Sequence, residues 1–366
     1  MKNVAVFFGG QSVEHDVSII TGVLTANAID KQKYNVYPIY VDEGGVWRYD
    51  QKVNLDVDAL IKTDKNKLKR VTFIGGNNLL YEVKGKRLKP IGEIAVAINC
   101  MHGGEGENGS LAGLLNLCGV PLCSPNVLAS SVCMDKRFTK IALKGMGVKT
   151  LQSLVVKSVE EIGENIEKVV FPAIVKPNLL GSSIGIAVAK DLSELKKAVA
   201  GALRYGSCVL IEPCLKDFIE INCSCYLDEN GKVVVSECEK PVGKDAVLTF
   251  KDKYEKGDRV FPADIKESLS KKIKNLTEKI YLELDARGII RIDFFISGGE
   301  VLVNEINTVP GSLAYYLHTK TIKEFSAVID RLILLCEREF AEKCSCQTVF
   351  KSGILAGVGS KGTKHL

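Results

Sequence analysis

Arg291-Ile292-Asp293-Phe294-Phe295-Ile296-Ser297-Gly298-Gly299-Glu300-Val301-Leu302-Val303-Asn304-Glu305-Ile306-Asn307 sets two strongly apolar runs on either side of Ser-Gly-Gly. Such runs around adjacent glycines read as a β-hairpin. Side chains two apart share a face of a strand, so Arg291 lies with Asp293, and Glu305 with Asn307. A three-residue loop, 297–299, pairs Ile296 with Glu300, Asp293 with Val303 and Arg291 with Glu305, and gathers all four polar groups on one face. A two-residue loop splits them between faces. Two carboxylates and an amide on one face suit Mg²⁺ shared with phosphates. An Arg291–Glu305 ion pair on a solvated sheet face explains them equally well. The next residues, Thr308-Val309-Pro310-Gly311-Ser312, favour the metal, because Pro-Gly after a strand can present bare backbone N–H groups.

Upstream, FPAIVKP (171–177) delivers Lys176 at the end of a buried strand, and GSSIG (181–185) follows closely. Small residues let amides and hydroxyls approach phosphate oxygens, and a buried lysine is costly without an anionic partner. Residues 209–215 (VLIEPCL) resemble a nucleotide hinge, an apolar strand ending in an acid, and Glu220 follows eight residues after Glu212.

Toward the N-terminus, strands at 2–8, 34–41 and 92–100 alternate with helices, one starting at Ser12 or Ser18 and running to about 28, another at 111–118. This β-loop-α pattern implies a parallel sheet with helices on both faces, placed at 1–130. Residues 131–240 read as α+β: helix 136–144, strand 153–156, helix 159–166, strand 173–176, helix 192–202, and strands 209–213 and 219–227. Residues 241–345 hold a polar loop (241–262), a helix (264–284), the hairpin and a final helix (322–343). A tail at 346–366 ends rich in glycine and lysine. The expected fold class is thus α/β and α+β in three domains.

At 366 residues the chain suits two or three domains. The net charge of +5 is spread among acids, and the densest basic stretch, 62–70 (KTDKNKLKR), lacks aromatics, so nucleic acid is not an expected partner. The apolar run in residues 1–10 reads as a first strand, and no run approaches a membrane span. With 12 cysteines and no CxxC pair, a cytoplasmic chain with reduced thiols is expected. Cys223 and Cys225 read as small buried residues more readily than as zinc ligands. Gly104-Glu105-Gly106-Glu107-Asn108-Gly109 fits GxGxxG, but its two acids would repel a pyrophosphate and the later acidic residue is missing, so dinucleotide binding is not expected. No GxxxxGK[ST] is present.

These pieces occur together in ATP-grasp enzymes. FGGQSVEHDVS (8–18) resembles the opening signature of D-alanine–D-alanine ligases, and HGGEGENGSLAG (102–113) their second. Met134-Asp135-Lys136, VKP with GSSIG, Asp252-Lys253-Tyr254, RID and NEINT-PG follow in the family's order, over residues 3–340. The resemblance implies a three-domain ATP-grasp fold, ATP and two Mg²⁺ (or Mn²⁺), and a homodimer. It also implies a D-Ala-D-Ala product for peptidoglycan, made through an acyl phosphate with release of ADP and phosphate. It implies that Lys136, Lys176, Gly181 and Ser183 bind ATP phosphates, that Glu212 takes the adenine edge, that Glu220 takes the ribose, and that Leu215 joins them. Asp293, Glu305 and Asn307 would hold the metals. Glu14 would bind the first ammonium near His102, and Ser182 and Tyr254 would close the site with Glu14. Lys253 would meet the transferred phosphate, and Arg291 with the Gly311 N–H would form an oxyanion hole.

Four positions depart from the family pattern. Asn108 replaces an aspartate, Ala112 a glutamine, and the Glu212–Glu220 spacing is one residue long. Tyr316 stands where the family places a serine for the second substrate's carboxylate. Tyr316, Ser312 and Leu317 are therefore the candidates for that subsite. Tyr254 argues against a D-lactate-joining relative. D-Serine as second substrate, and an ATP-binding regulatory relative without ligation, stay open.

Overall fold

The computed structural model describes residues 1–53, 55–242 and 258–353. Lys253 and Tyr254, with most of the 241–262 loop and the end of the tail, lie outside the described residues.

An eight-stranded sheet comes first: β1 (Lys2–Gly9), β2 (Tyr34–Val41), β3 (Trp47–Tyr49), β4 (Lys69–Thr72), β5 (Leu79–Lys84), β6 (Arg87–Glu93), β7 (Val96–Asn99) and β8 (Leu122–Cys123), in the order β6-β5-β4-β3-β2-β1-β7-β8. The expectation of a parallel sheet holds for β2-β1-β7-β8 only. From β2 to β6 the pairing is antiparallel. The links 42–46 and 85–86 are too short for a crossover helix, so β2–β3 and β5–β6 return as hairpins, while the longer link between β3 and β4 holds helix Val57–Lys62. β1 is buried on both sides, which explains its unbroken apolar run. Val4, Val6 and Phe8 face one core, Ala5 and Phe7 the other.

The final helix, Ile322–Ser345, expected with the C-terminal part, packs Phe325, Val328, Ile329, Leu332 and Ile333 into the core of the first sheet with Val4 and Phe8. Lys2 pairs with Glu337 at 2.7 Å, and Lys33 pairs with Asp330.

Two four-stranded sheets follow. One contains β9 (Leu154–Val156), β10 (Ala173–Pro177), β11 (Ala187–Ala189) and β12 (Val209–Pro213), ordered β11-β10-β12-β9. Helix Leu192–Ala202 covers it through Leu195, Val199 and Ala202. The other contains β13 (Ile219–Leu227), β14 (Val233–Val235), β17 (Ile290–Ser297) and β18 (Glu300–Asn307), ordered β14-β13-β17-β18. A two-stranded ribbon, β15 (Lys240–Pro241) with β16 (Arg259–Val260), closes the set. β13 was expected to end the central part, but it pairs along its length with β17. A division at 240 therefore cuts through a sheet. Cys223 and Cys225 sit among Ile221, Leu227 and Ile280 in that sheet's core. The helix expected at 159–166 shrinks to Glu161–Glu164 and a 3₁₀ turn, Ile166–Lys168, because Gly163 and three β-branched neighbours weaken it.

The hairpin reaches the expected result by another route. Its loop has two residues, not three: Ser297 pairs with Glu300, and Gly298 and Gly299 take φ of 56° and 80°, as the tight primed turns require. That register alone would divide the polar residues. A β-bulge between Asp293 and Phe294 restores them, setting Asp293 opposite Glu305 and Arg291 opposite Asn307. Asn304 is the extra residue, and its Oδ1 accepts from Lys176 at 3.2 Å. A bulge re-aims a side chain; here it turns one toward the neighbouring sheet.

Candidate active site

Where the first sheet, the β17–β18 hairpin and the ribbon meet, a cavity of about 340 Å³ is lined by Glu14, His102, Ser182, Arg291, Gly311 and Tyr316, among others. Glu14 immediately precedes helix His15–Ala28 and is 7 % exposed. The Ser182 hydroxyl donates to Glu14 Oε1. A side chain on Gly181 would begin 3.0 Å from Glu14 Oε2, a contact that would push the carboxylate aside. An anion so enclosed suits an ammonium.

His102 Nε2 lies 2.8 Å from Thr21 Oγ1, which also accepts the Ser312 N–H at 3.0 Å. Burial drives the His102 pKa down to about 4, and burial does the same to His318, whose Nε2 lies 2.9 Å from Ser224 Oγ. Both are neutral at pH 7. Because the folded values fall below the unfolded one, their contribution to stability is full above about 6.5 and is lost as pH falls toward 4. His318→Gln is expected to remove about 2 kcal/mol of the stability change between pH 7.5 and pH 5. Urea unfolding of both proteins at the two pH values checks this; parallel losses contradict it.

Arg291 Nε and Nη2 donate to the two Asp293 oxygens at 2.7 and 2.9 Å, and Asn307 Nδ2 donates to Oδ2 at 3.0 Å. Burial opposes the Arg291 charge, yet Asp293 more than offsets it and holds the guanidinium pKa well above its ordinary value. The fork is thus fixed in the cavity that Gly311 also lines. There Ser312, Leu313 and Ala314 all take left-handed φ of 48–52°, a costly run for non-glycine residues that turns the chain sharply after Pro310-Gly311. Leu317, expected in the substrate site, is instead 4 % exposed in the apolar core against the final helix.

A second cleft opens between the two four-stranded sheets, lined by Lys136, Lys176, Gly181, Ser183, Leu215 and Glu305, with Glu220 on its wall. Lys136 donates to the Leu180 carbonyl; burial lowers its pKa and the Glu305 charge works against that. Lys176 Nζ lies 2.8 Å from Glu212, and Lys140 Nζ 2.6 Å from the same carboxylate. Glu212 was expected to meet the adenine edge. Its carboxylate is instead 3 % exposed and engaged by two lysines.

Glu305 lines both cavities, and Asn307 lines the larger one. These hard donors fit a divalent cation in kind. Asp293 lies on the same hairpin face, fully buried behind Arg291.

Four residues were not legible as site residues. Lys140 follows Lys136 by one helical turn, a spacing that places both on one face. Glu107 sits inside the GxGxxG match. It accepts from the N–H groups of Gly103 (2.7 Å) and Val309 (3.0 Å) and from the Thr308 hydroxyl (3.2 Å), tying the first sheet's loop to the Gly311 loop. Burial and nearby Glu14 push its pKa up to about 7. Glu239 and Arg259 line the larger cavity from the ribbon side and had no sequence signal.

Among the described residues no helix is long and apolar enough to cross a membrane. Family models described as D-ala D-ala ligase N-terminus and C-terminus match residues 3–125 and 142–334. The chain is similar to D-alanine--D-alanine ligases of Thermosipho melanesiensis (35 % identity, 94 % of this chain, 96 % of the relative) and Wigglesworthia glossinidia brevipalpis (34 %, 91 % and 98 %). Among solved structures it is similar to D-alanine-D-alanine ligases from Coxiella burnetii (TM-score 0.78, 25 % identity, 94 % and 96 % covered) and Helicobacter pylori (0.76, 30 %, 91 % and 98 %). It is also similar to a D-Ala:D-Ser ligase from Enterococcus faecalis (0.77, 25 %, 92 % and 99 %). With both halves of the chain matched and an ATP-grasp architecture shared with these solved structures, the chain belongs to the D-alanine–D-alanine ligase family.

Proposed function

We propose that this chain joins two D-alanines at the expense of ATP, releasing ADP and phosphate. The observation that carries the reading is the adjacency of two unlike cavities at Glu305: one lined by lysines, the other by the buried Glu14 carboxylate and the fixed Arg291 guanidinium.

A carboxylate is a poor acyl donor. Transfer of the γ-phosphoryl group to the first D-alanine gives an acyl phosphate, and the amine of the second then attacks the acyl carbon. Phosphoryl transfer needs positioning and charge neutralisation more than a covalent catalyst. Lys136 and Lys176 supply positive charge at the cleft floor, and small Gly181 and Ser183 allow close approach. Leu215 would take the nucleotide's apolar face and Glu220 its ribose. Mg²⁺, held by Glu305, Asn307 and Asp293, would neutralise phosphate charge. Glu14 with Ser182 would hold the first ammonium, with His102 alongside. Arg291 and the Gly311 N–H would receive the oxyanion of the addition step, where fixed donors act most strongly. The acyl phosphate must be kept from water, and residues 241–262, with Lys253 and Tyr254, are where the sequence expects that cover. A cytoplasmic homodimer completes the reading.

Tyr316 in place of serine favours one second reading, a different second amino acid such as D-serine. Phosphate release from ATP and Mg²⁺, measured with D-alanine alone and then with each candidate acceptor, with products identified by mass, decides between them. D-alanyl-D-alanine from D-alanine alone is the expected result. Turnover only with another acceptor leaves the mechanism standing and changes the substrate.

A further inference from the structure

Tyr316 occupies the position expected to hold the second substrate's carboxylate, yet its geometry does not suit that task. The ring fills space that a serine would leave open. Burial raises the pKa of its hydroxyl, and the Arg291 charge works against that. Its face instead carries another cation: the Arg259 guanidinium lies 4.3 Å from the ring centroid. We propose that Arg259, stacked on Tyr316, is the carboxylate anchor for the second amino acid. This rests on the ligase reading above.

Three observations support it. First, Arg259 stands on β16, opposite Pro241 of β15, and lines the same cavity as Gly311 and Ser312. It thus faces the cavity that the proposed oxyanion donors, Arg291 and Gly311, also line. Second, its orientation is fixed from two sides. The Tyr316 face supports the guanidinium, and Glu239, 5 % exposed, lies 3.6 Å from Nη1. Glu239 is itself held by Asn222 Nδ2 at 3.2 Å. A guanidinium has five donors in a rigid fork, so one edge can rest on Glu239 while another meets a carboxylate in two hydrogen bonds. Third, the chemistry leaves one charge to recognise. Glu14 suits the ammonium of the first amino acid. The second amino acid must attack through a free, uncharged amine, so its carboxylate is the charge left to bind. Arg259 side-chain exposure of 40 % leaves that head within reach of an entering molecule. A serine hydroxyl would offer one neutral donor; a stacked guanidinium offers a charge-assisted pair, which is the stronger interaction.

The test uses the full-length enzyme and two acceptors, D-alanine and D-alaninamide, which lacks the carboxylate charge. For wild type, D-alaninamide is expected to show a second-site KM at least about 10-fold above that of D-alanine. In Arg259→Gln the second-site KM for D-alanine rises by about 10- to 100-fold, that for the amide changes little, and the first-site KM and kcat move far less. Equal second-site KM values for acid and amide in wild type overturn the proposal whether or not the variant folds. So does an Arg259→Gln enzyme whose acid and amide KM values rise together with the first-site KM, the mark of a merely structural arginine. A wild type that forms no dipeptide from any D-amino acid overturns the ligase reading and this proposal with it. A wild type that ligates while Arg259→Gln keeps its second-site KM overturns only the proposal.

Discussion

Arg291→Ala is expected to lower kcat for dipeptide formation by about 10²–10³-fold, while the protein stays folded. The size follows from what the side chain offers. Its fork is already aligned by two bonds to Asp293, and the side chain itself is only 16 % exposed. Donors fixed in place before charge develops need no reorganisation at the moment of reaction. Arg291→Lys keeps a charge but not the planar fork, and is expected to recover only a small part of the rate. The change also leaves Asp293, fully buried, short of its main partner, so some stability is lost. A thermal melt beside the steady-state rates separates that loss from the catalytic one. A fall of less than about 10-fold in kcat contradicts the assignment of Arg291 as a donor to the oxyanion.

The second large effect is on stability. Glu212→Gln removes the negative charge that Lys140 and Lys176 approach to 2.6 and 2.8 Å. Breaking a buried ion cluster from one side costs about 3–5 kcal/mol, because it strands the remaining charge. Burial alone pushes the Glu212 carboxyl up, but the two lysines more than compensate and hold its pKa below the ordinary carboxylate value. Its contribution is therefore complete above the unfolded carboxylate range and is lost as pH falls through the lower folded value. Lys140 is already lowered by burial, and Glu212 is what keeps it from falling further. In Glu212→Gln the lysine charge becomes a liability that deprotonation relieves. The gap between variant and wild type is accordingly expected to narrow as pH rises from 7 to 10. Urea unfolding across that range is the check, and a gap that widens contradicts the account.

Much of this site was legible because its residues break a local pattern. A lysine ending an apolar strand, Gly-Gly turns and paired acids in an apolar hairpin all stand out against their surroundings. The convergence of Arg291, Asp293, Glu305 and Asn307 was read correctly, but through the wrong register. Nothing in VLVNEIN marks Asn304 as a bulge, since an unpaired residue has no compositional signature when its neighbours on both sides are ordinary strand formers. Partner choice was equally silent. The run 219–227 is a strand in any sheet, and only tertiary packing sends it to β17 instead of β12. The final helix shows its apolar stripe plainly but not which core receives it. The role at the adenine edge comes to Glu212 from the family resemblance alone, since an acid at a strand end is generic, and two lysines brought by other elements claim its carboxylate. Glu107 was hidden by a motif match. Arg259 was invisible because its value lies in Tyr316, 57 positions later in the chain.

The most direct test of the account follows one oxygen atom. Acyl transfer through a phosphorylated carboxylate moves one carboxylate oxygen of the first amino acid into the released phosphate. The enzyme is given ATP, Mg²⁺ and D-alanine with both carboxylate oxygens labelled as ¹⁸O, and phosphate and dipeptide are analysed by mass. The account predicts one ¹⁸O in each phosphate for each dipeptide formed. Dipeptide accompanied by unlabelled phosphate, or labelled alanine consumed without phosphate release, would contradict it.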